Sequence, residues 1–153
     1  MEEYIVRMEN IQKNFGTVKA VRSGQFNLKK GEIHSIIGEN GAGKSTMMKM
    51  LYGMYPIDGG KIFLNGQELT HYTTKDAIAA GIGMVHQEFM LVNELTVLEN
   101  VILGFEPTKG LAIDRQAARK KISQYIETYH MDIHLDKKIN QISVGEAQRV
   151  EII

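Results

Sequence analysis

Short apolar runs broken by turn residues fill the first 87 positions, and helical spacing takes over after Gln87. Tyr4-Ile5-Val6-Arg7-Met8 and Ala20-Val21 through Leu28 predict two strands, separated by a turn around Asn14-Phe15-Gly16-Thr17 and closed by Lys29-Lys30-Gly31. Gly31-Glu32-Ile33-His34-Ser35-Ile36-Ile37 predicts a turn and a short, partly apolar strand. Met47-Met48-Lys49-Met50-Leu51-Tyr52 predicts a helix that stops at Gly53 and Pro56. Asp58-Gly59-Gly60 opens the strand Lys61-Ile62-Phe63-Leu64, which the Asn65-Gly66 turn signal closes. A short helix from Thr74 to Ala80 ends at Gly81, and Ile82 to His86 predicts a buried strand. That strand delivers Gln87 to its end, where ligand chemistry gathers in an open α/β sheet.

Beyond Gln87, Thr96 with Glu99 three residues later forms a capping-box pattern, and Asp114 caps a second helix. In that helix Ala118, Ile122, Tyr125, Ile126 and Tyr129 make one apolar stripe beside the charged face of Arg119, Lys120 and Glu127, which predicts core or partner surface. Met47, Met50 and Met54 recur at helical spacing, and packing against a sheet explains them. With no internal repeat or linker, the change of texture marks subdomains: 1–87 a β portion, 88–153 a helical one.

Composition narrows the partners. Eighteen basic and eighteen acidic residues cancel, so no overall field draws in nucleic acid or anionic lipid. Zero cysteines exclude disulfides and thiolate metal sites. The absence of an N-terminal signal segment or long apolar run fits a cytoplasmic protein with at most a peripheral membrane role. His130 and His134 stand four apart without an evident third ligand, and Arg119-Lys120-Lys121 is a charged helix face; solvation is the expected state of both.

Gly38-Glu39-Asn40-Gly41-Ala42-Gly43-Lys44-Ser45-Thr46 changes the picture, because it meets every position of the G-x-x-x-x-G-K-[ST] phosphate-binding loop and sits between a predicted strand and a predicted helix. Successive backbone N–H groups at a helix N-terminus supply donors and a favourable dipole for a triphosphate. Gly41 and Gly43 would allow the wrap, Lys44 would reach the β- and γ-phosphates, Ser45 would ligate Mg²⁺ and Thr46 would face the α-phosphate. The plain alternative is a glycine-rich turn with an exposed lysine, which leaves Lys-Ser-Thr unexplained.

A second motif, Ile142-Ser143-Val144-Gly145-Glu146-Ala147-Gln148-Arg149, resembles the L-S-G-G-Q-Q-Q-R signature of ATP-binding cassette (ABC) proteins. With Phe15 as the aromatic near the N-terminus, the P-loop and Val85-His86-Gln87 as a Q-loop, the resemblance runs from Tyr4 to Ile153. Met84 through Val92, Leu95 through Asn100 and the Ser-Val-Gly-Glu signature look like those of bacterial simple-sugar and nucleoside importers.

The resemblance implies an α/β P-loop NTPase fold of ABC type: an N-terminal antiparallel β subdomain, a parallel core sheet and a helical subdomain. It implies that Phe15 stacks on adenine, that Gly38, Asn40, Gly41, Ala42, Gly43, Lys44, Ser45 and Thr46 hold ATP, and that Gln87 contacts Mg²⁺ and the attacking water. Ser143, Val144, Gly145 and Glu146 would close over ATP on the opposite subunit, so a second nucleotide-binding domain, separate or fused, is expected. Ile142, Val144 and Glu146 depart from the family pattern and weaken the case for that trans contact. Permease subunits at the cytoplasmic face of the plasma membrane, and indirectly a solute-binding protein, are the other implied partners.

Such domains continue into a Walker B strand ending in Asp-Glu, which supplies the general base; the chain is expected to be truncated before it. By itself it should bind ATP weakly or not at all, turn over negligibly and be marginally stable or self-associating. The leading expectation is the ATPase subunit of a bacterial importer of a simple sugar or nucleoside. The alternatives are a soluble ABC ATPase outside transport and a non-catalytic nucleotide-binding or interaction fragment.

Overall fold

The computed structural model describes residues 4–110 and 112–153, which divide into two compact units, one up to Met84 and the other from Val85 onward. In the first, β1 (Tyr4–Phe15), β2 (Val18–Lys29), β3 (Gly59–Leu64) and β4 (Gln67–Glu68) form an antiparallel sheet in the order β2-β1-β3-β4. The β1–β2 hairpin turns on Gly16-Thr17, with Phe15 opposite Val18. Gly16 has φ +57°, as the first central residue of a two-residue II′ turn requires. Asn65-Gly66 closes β3 onto β4 with φ +49° and +80°, the two positive values of a type I′ turn.

β1 runs past the expected end at Met8 because a bulge changes its inward-facing parity. Val6 and Met8 are buried at even positions, and Ile11 and Lys13 at odd ones. Between them the ladders shift register and Asn10 adopts φ +50°. One extra residue in a strand turns every later side chain to the other face. The bulge presses on β3: a Cβ on Gly60 would lie 2.4 Å from the Glu9 carbonyl oxygen, so glycine is required there.

Helix α1 (Lys44–Leu51) packs on this sheet through Met50, which shares a fully buried cluster with Met8, Ile11 and Ile62. Met47 is half-buried against the same cluster, whereas Met54, beyond the helix end, is exposed, contrary to the packing expected of it. The Tyr72 hydroxyl donates to the Met50 carbonyl, and burial pushes its pKa up to about 12. α2 (Thr74–Ala79) starts with a capping box between Thr73 and Asp76.

The two segments expected as core strands carry no ladder. Residues 32–37 and 82–86 are irregular; Ile33 and Ile37 are 96% and 92% exposed, and Val85 58%. Extended backbone becomes a strand only when a neighbour offers a complementary row of N–H and C=O groups, and the described residues provide none. The antiparallel subdomain is therefore formed while the parallel core sheet is not assembled among the described residues.

In the second unit, α3 (Val97–Ile102), α4 (Arg115–Thr128) and α5 (Val144–Ile152) enclose a core of Val97, Leu98, Ile102, Ala118, Ile122, Leu135, Ile139 and Val150. A two-residue ribbon, β5 (Thr108–Lys109) with β6 (Ala112–Ile113), precedes α4. The Thr96–Glu99 capping box and the Asp114 cap form as the sequence predicts. The stripe on α4 is narrower than predicted: Ala118 and Ile122 are buried and Ile126 partly so, but Tyr125 and Tyr129 are exposed. His130 lies past the end of α4 with φ +51°, so it shares no helical face with His134. No described helix is long and apolar enough to cross a membrane.

Candidate nucleotide-binding site

Four of the five described α-helices begin with a side-chain cap, from Thr73, Thr96, Asp114 or Ser143, and α1 does not. Its N-cap is Gly43, and no acidic residue lies in its first turn. The first N–H groups of a helix have no intrahelical partner, so this end suits an anion. The glycines shape the approach. Gly41 has φ +86° and no atom within 4 Å of where a Cβ would be. Gly43 has φ +83°, and a Cβ there would stand 2.6 Å from the Ala20 carbonyl oxygen, so this glycine also lets the loop lie against β2.

Lys44 lies over the same loop. Its Nζ donates to the carbonyls of Gly38 and Glu39, both at 2.7 Å, and Ala42 N–H closes back on Glu39 O at 3.2 Å. The Gly38 and Glu39 carbonyls thus hold the ammonium over the loop that runs through Asn40, Gly41, Ala42 and Gly43 to Lys44, with Ser45 and Thr46 in the first helical turn. An uncapped helix start, a glycine-lined approach and an adjacent cation fit a phosphate chain. Ser45 supplies a hydroxyl suited to a hard cation such as Mg²⁺.

Phe15, at the tip of the β1–β2 hairpin, is 44% exposed and meets Tyr55 edge-on, ring centroids 5.2 Å apart at 76°. Lys13, two residues earlier, is a residue that motif reading passes over. It is 7% exposed, and its Nζ donates to Pro56 O at 2.7 Å and to Asp58 Oδ1 at 2.8 Å. The Lys13 ammonium, together with the Asn14 N–H, holds the Asp58 carboxyl below its ordinary range. A lysine at an inward position of a strand, following buried Ile11, was the available signal.

The other candidates lie in the second unit. Gln87 occupies an exposed bend. Ser143 caps α5 in a full capping box: its Oγ accepts from Glu146 N–H at 3.2 Å and donates to Glu146 Oε2 at 3.0 Å, while Ser143 N–H donates to Oε2 at 2.9 Å. Val144 and Gly145 form the first turn, and Val144 is exposed. The Glu146 departure from the signature thus has a local role.

The Ser143 backbone N–H, then its hydroxyl, with Lys137 and His134 adding charge, hold the Glu146 carboxyl below its ordinary value of 4.5. A depressed carboxyl contributes stability that is present above the unfolded value and lost as pH falls through the folded one. The stability gap between wild type and Glu146→Gln is therefore expected to shrink as pH falls from about 6 to about 3. Urea unfolding across that range measures it, and a gap flat in pH would count against the box.

The sequence profile of the ABC transporter family matches residues 21–153. The chain is 45% identical over 151 residues to the guanosine import ATP-binding protein NupO of Bacillus subtilis, covering 99% of this chain and 30% of that protein. It is 44% identical to the xylose import ATP-binding protein XylG of Moorella thermoacetica, covering 99% of this chain and 31% of that protein. It therefore spans about 30% of the length of these curated relatives. A nucleotide-free ATP-binding cassette from an ABC transporter superposes with a TM-score of 0.80 at 30% identity, over 97% of this chain and 63% of that one. MJ0796, a dimeric bacterial ABC transporter cassette, gives 0.76 at 28% identity, over 96% and 67%.

Proposed function

The chain belongs to the ABC transporter family, and from that premise we propose that it is the ATP-binding part of a bacterial importer, coupling ATP binding and hydrolysis to uptake of a nucleoside or a simple sugar. The observation that carries the reading is α1: the one described α-helix without a side-chain cap starts under an ammonium group held by the Gly38 and Glu39 carbonyls. Relatives whose names specify guanosine and xylose import support a nucleoside or a simple sugar as the solute.

In this reading the N–H groups from Gly41 to Thr46 bind the phosphate chain, and Lys44 exchanges its two carbonyl partners for β- and γ-phosphate oxygens. Ser45 would supply a hydroxyl to Mg²⁺, whose chemistry is to neutralise charge developing on the phosphates, and Gln87 offers an amide oxygen of the kind that a hard cation takes. Phe15 offers its ring to the adenine. Ser143, Val144, Gly145 and Glu146 present the start of α5 to the nucleotide of a second ATP-binding domain, in a dimer or a tandem copy. Permease subunits at the cytoplasmic face of the membrane receive the closure, and a solute-binding protein delivers the cargo. Turnover is proposed for the whole protein, to which these residues contribute the phosphate-holding groups.

The test is uptake in the host. Changing the Lys44 codon to alanine is expected to abolish uptake of one labelled nucleoside or simple sugar while leaving unrelated solutes unaffected. Unchanged uptake of every nucleoside and simple sugar would refute the assignment.

A further inference from the structure

We propose that Tyr55 is a positioning residue for the nucleobase, tying the Phe15 ring to the C-terminal end of α1 so that base and phosphates are held in register. This rests on Phe15 as the base-stacking ring and adds what fixes that ring. A phenylalanine at a hairpin tip rotates freely about its side-chain torsions unless something holds it. Here two groups do. The T-shaped contact with Tyr55 holds it on one side. The Lys13 ammonium lies over the ring, 5.6 Å from its centroid, itself fixed by Pro56 O and Asp58.

Tyr55 and the groups that fix Lys13, Pro56 O and Asp58, all belong to residues 55–58, the segment that continues the phosphate-loop helix. Tyr55 N–H donates to Lys49 O at 3.4 Å and Met54 N–H to the same carbonyl at 2.9 Å. The Lys49 ammonium stands 5.7 Å from the Tyr55 ring centroid, and Tyr55 packs against the cluster that contains Met50. Asp58 N–H donates to Gln12 O at 2.9 Å, and Asp58 Oδ2 accepts from Asn14 N–H at 2.6 Å, which clamps the segment to the hairpin. The loop that binds phosphate and the ring that stacks on the base therefore belong to one connected piece. A ligand with both a base and a triphosphate then meets two preordered subsites and loses less freedom in using the second. Without the Tyr55 ring, Phe15 must be ordered at the moment of binding.

The experiment compares ATP with inorganic tripolyphosphate, which carries the phosphates and no base, in calorimetric titrations of the whole protein as wild type, Tyr55→Leu, Tyr55→Phe and Phe15→Ala, with melting curves for each. Tyr55→Leu is expected to lower ATP affinity about three- to tenfold while leaving tripolyphosphate within about twofold. Tyr55→Phe keeps the wild-type ratio, because the ring and not the hydroxyl makes the contact. Adding Tyr55→Leu to Phe15→Ala lowers the ratio no further than Phe15→Ala alone. Equal loss of both ligands in Tyr55→Leu would reduce Tyr55 to a structural residue and overturn the proposal. A ratio lowered by Phe15→Ala but untouched by Tyr55→Leu overturns it while the stacking role of Phe15 stands. If Phe15→Ala leaves the ratio unchanged, or wild type shows no preference for ATP, the stacking reading falls and this proposal with it.

Discussion

In the whole protein, replacing Lys44 with alanine is expected to weaken ATP binding by about 10²–10³-fold, with little change in melting temperature. The ammonium makes two charge-assisted hydrogen bonds at 2.7 Å to the loop carbonyls, and in the bound state phosphate oxygens take their place. Hydrogen bonds to charged groups contribute about 1.5–3 kcal/mol each, so two contribute about 3–6 kcal/mol; less what the two surrendered carbonyl bonds return, roughly 3–4 kcal/mol is lost, at 1.4 kcal/mol per tenfold. Stability should barely respond, because Gly38 and Glu39 are exposed and water replaces the lost donor at their carbonyls. Arginine is a poor substitute, since a planar fork does not reproduce a point charge among converging oxygens. The loss should be equal for ATP and tripolyphosphate, unlike the base-selective loss expected at Tyr55. Calorimetric titration decides, and an affinity within threefold of wild type (about 0.7 kcal/mol) would exclude Lys44 from the phosphate site.

What the sequence made legible were features whose physics is local. Each capping pattern named in advance, Thr96 with Glu99 and the cap at Asp114, forms at those residues, since a cap needs only a side chain and the next three N–H groups. Asn65-Gly66 turns where its positive φ angles allow. The β1 strand was cut short because the alternation reads as broken after Met8, whereas the bulge at Asn10 carries it on in the other parity through Lys13. Tyr125 and Tyr129 sit at the right spacing on α4 yet stand in solvent, because periodicity shows which residues share a face and not how far the packing partner extends. Residues 32–37 and 82–86 have the composition of strands without the ladder, since pairing is a property of neighbours. The phosphate loop was legible as a motif; the supports of Phe15 were not, because Lys13, Tyr55 and Asp58 meet only after β1 and the segment following α1 have folded together.

The glycines of the loop separate what the motif states from what the structure explains. Gly41 and Gly43 both occupy the left-handed region, at φ +86° and +83°, so alanine is strained at either by about 1–2 kcal/mol. At Gly41 nothing lies within 4 Å of the added methyl, so strain is the whole cost there and ATP affinity should fall about tenfold, with the sheet intact. At Gly43 the methyl would stand 2.6 Å from Ala20 O and 3.0 Å from Val21 Cγ2. Neither neighbour yields easily: Ala20 is held in the β1–β2 hairpin and Val21 belongs to the buried cluster. Gly43→Ala must therefore push the start of α1 away from β2, displacing the N–H groups and Lys44 together. Its affinity for ATP should fall by more than about 10²-fold and its melting temperature by several degrees, since steric strain adds to the backbone cost. Titrations and melting curves of the two variants side by side give the order. Equal effects would mean that the loop does not depend on its contact with β2, and a larger loss at Gly41 would place the tight approach on the phosphate side of the loop.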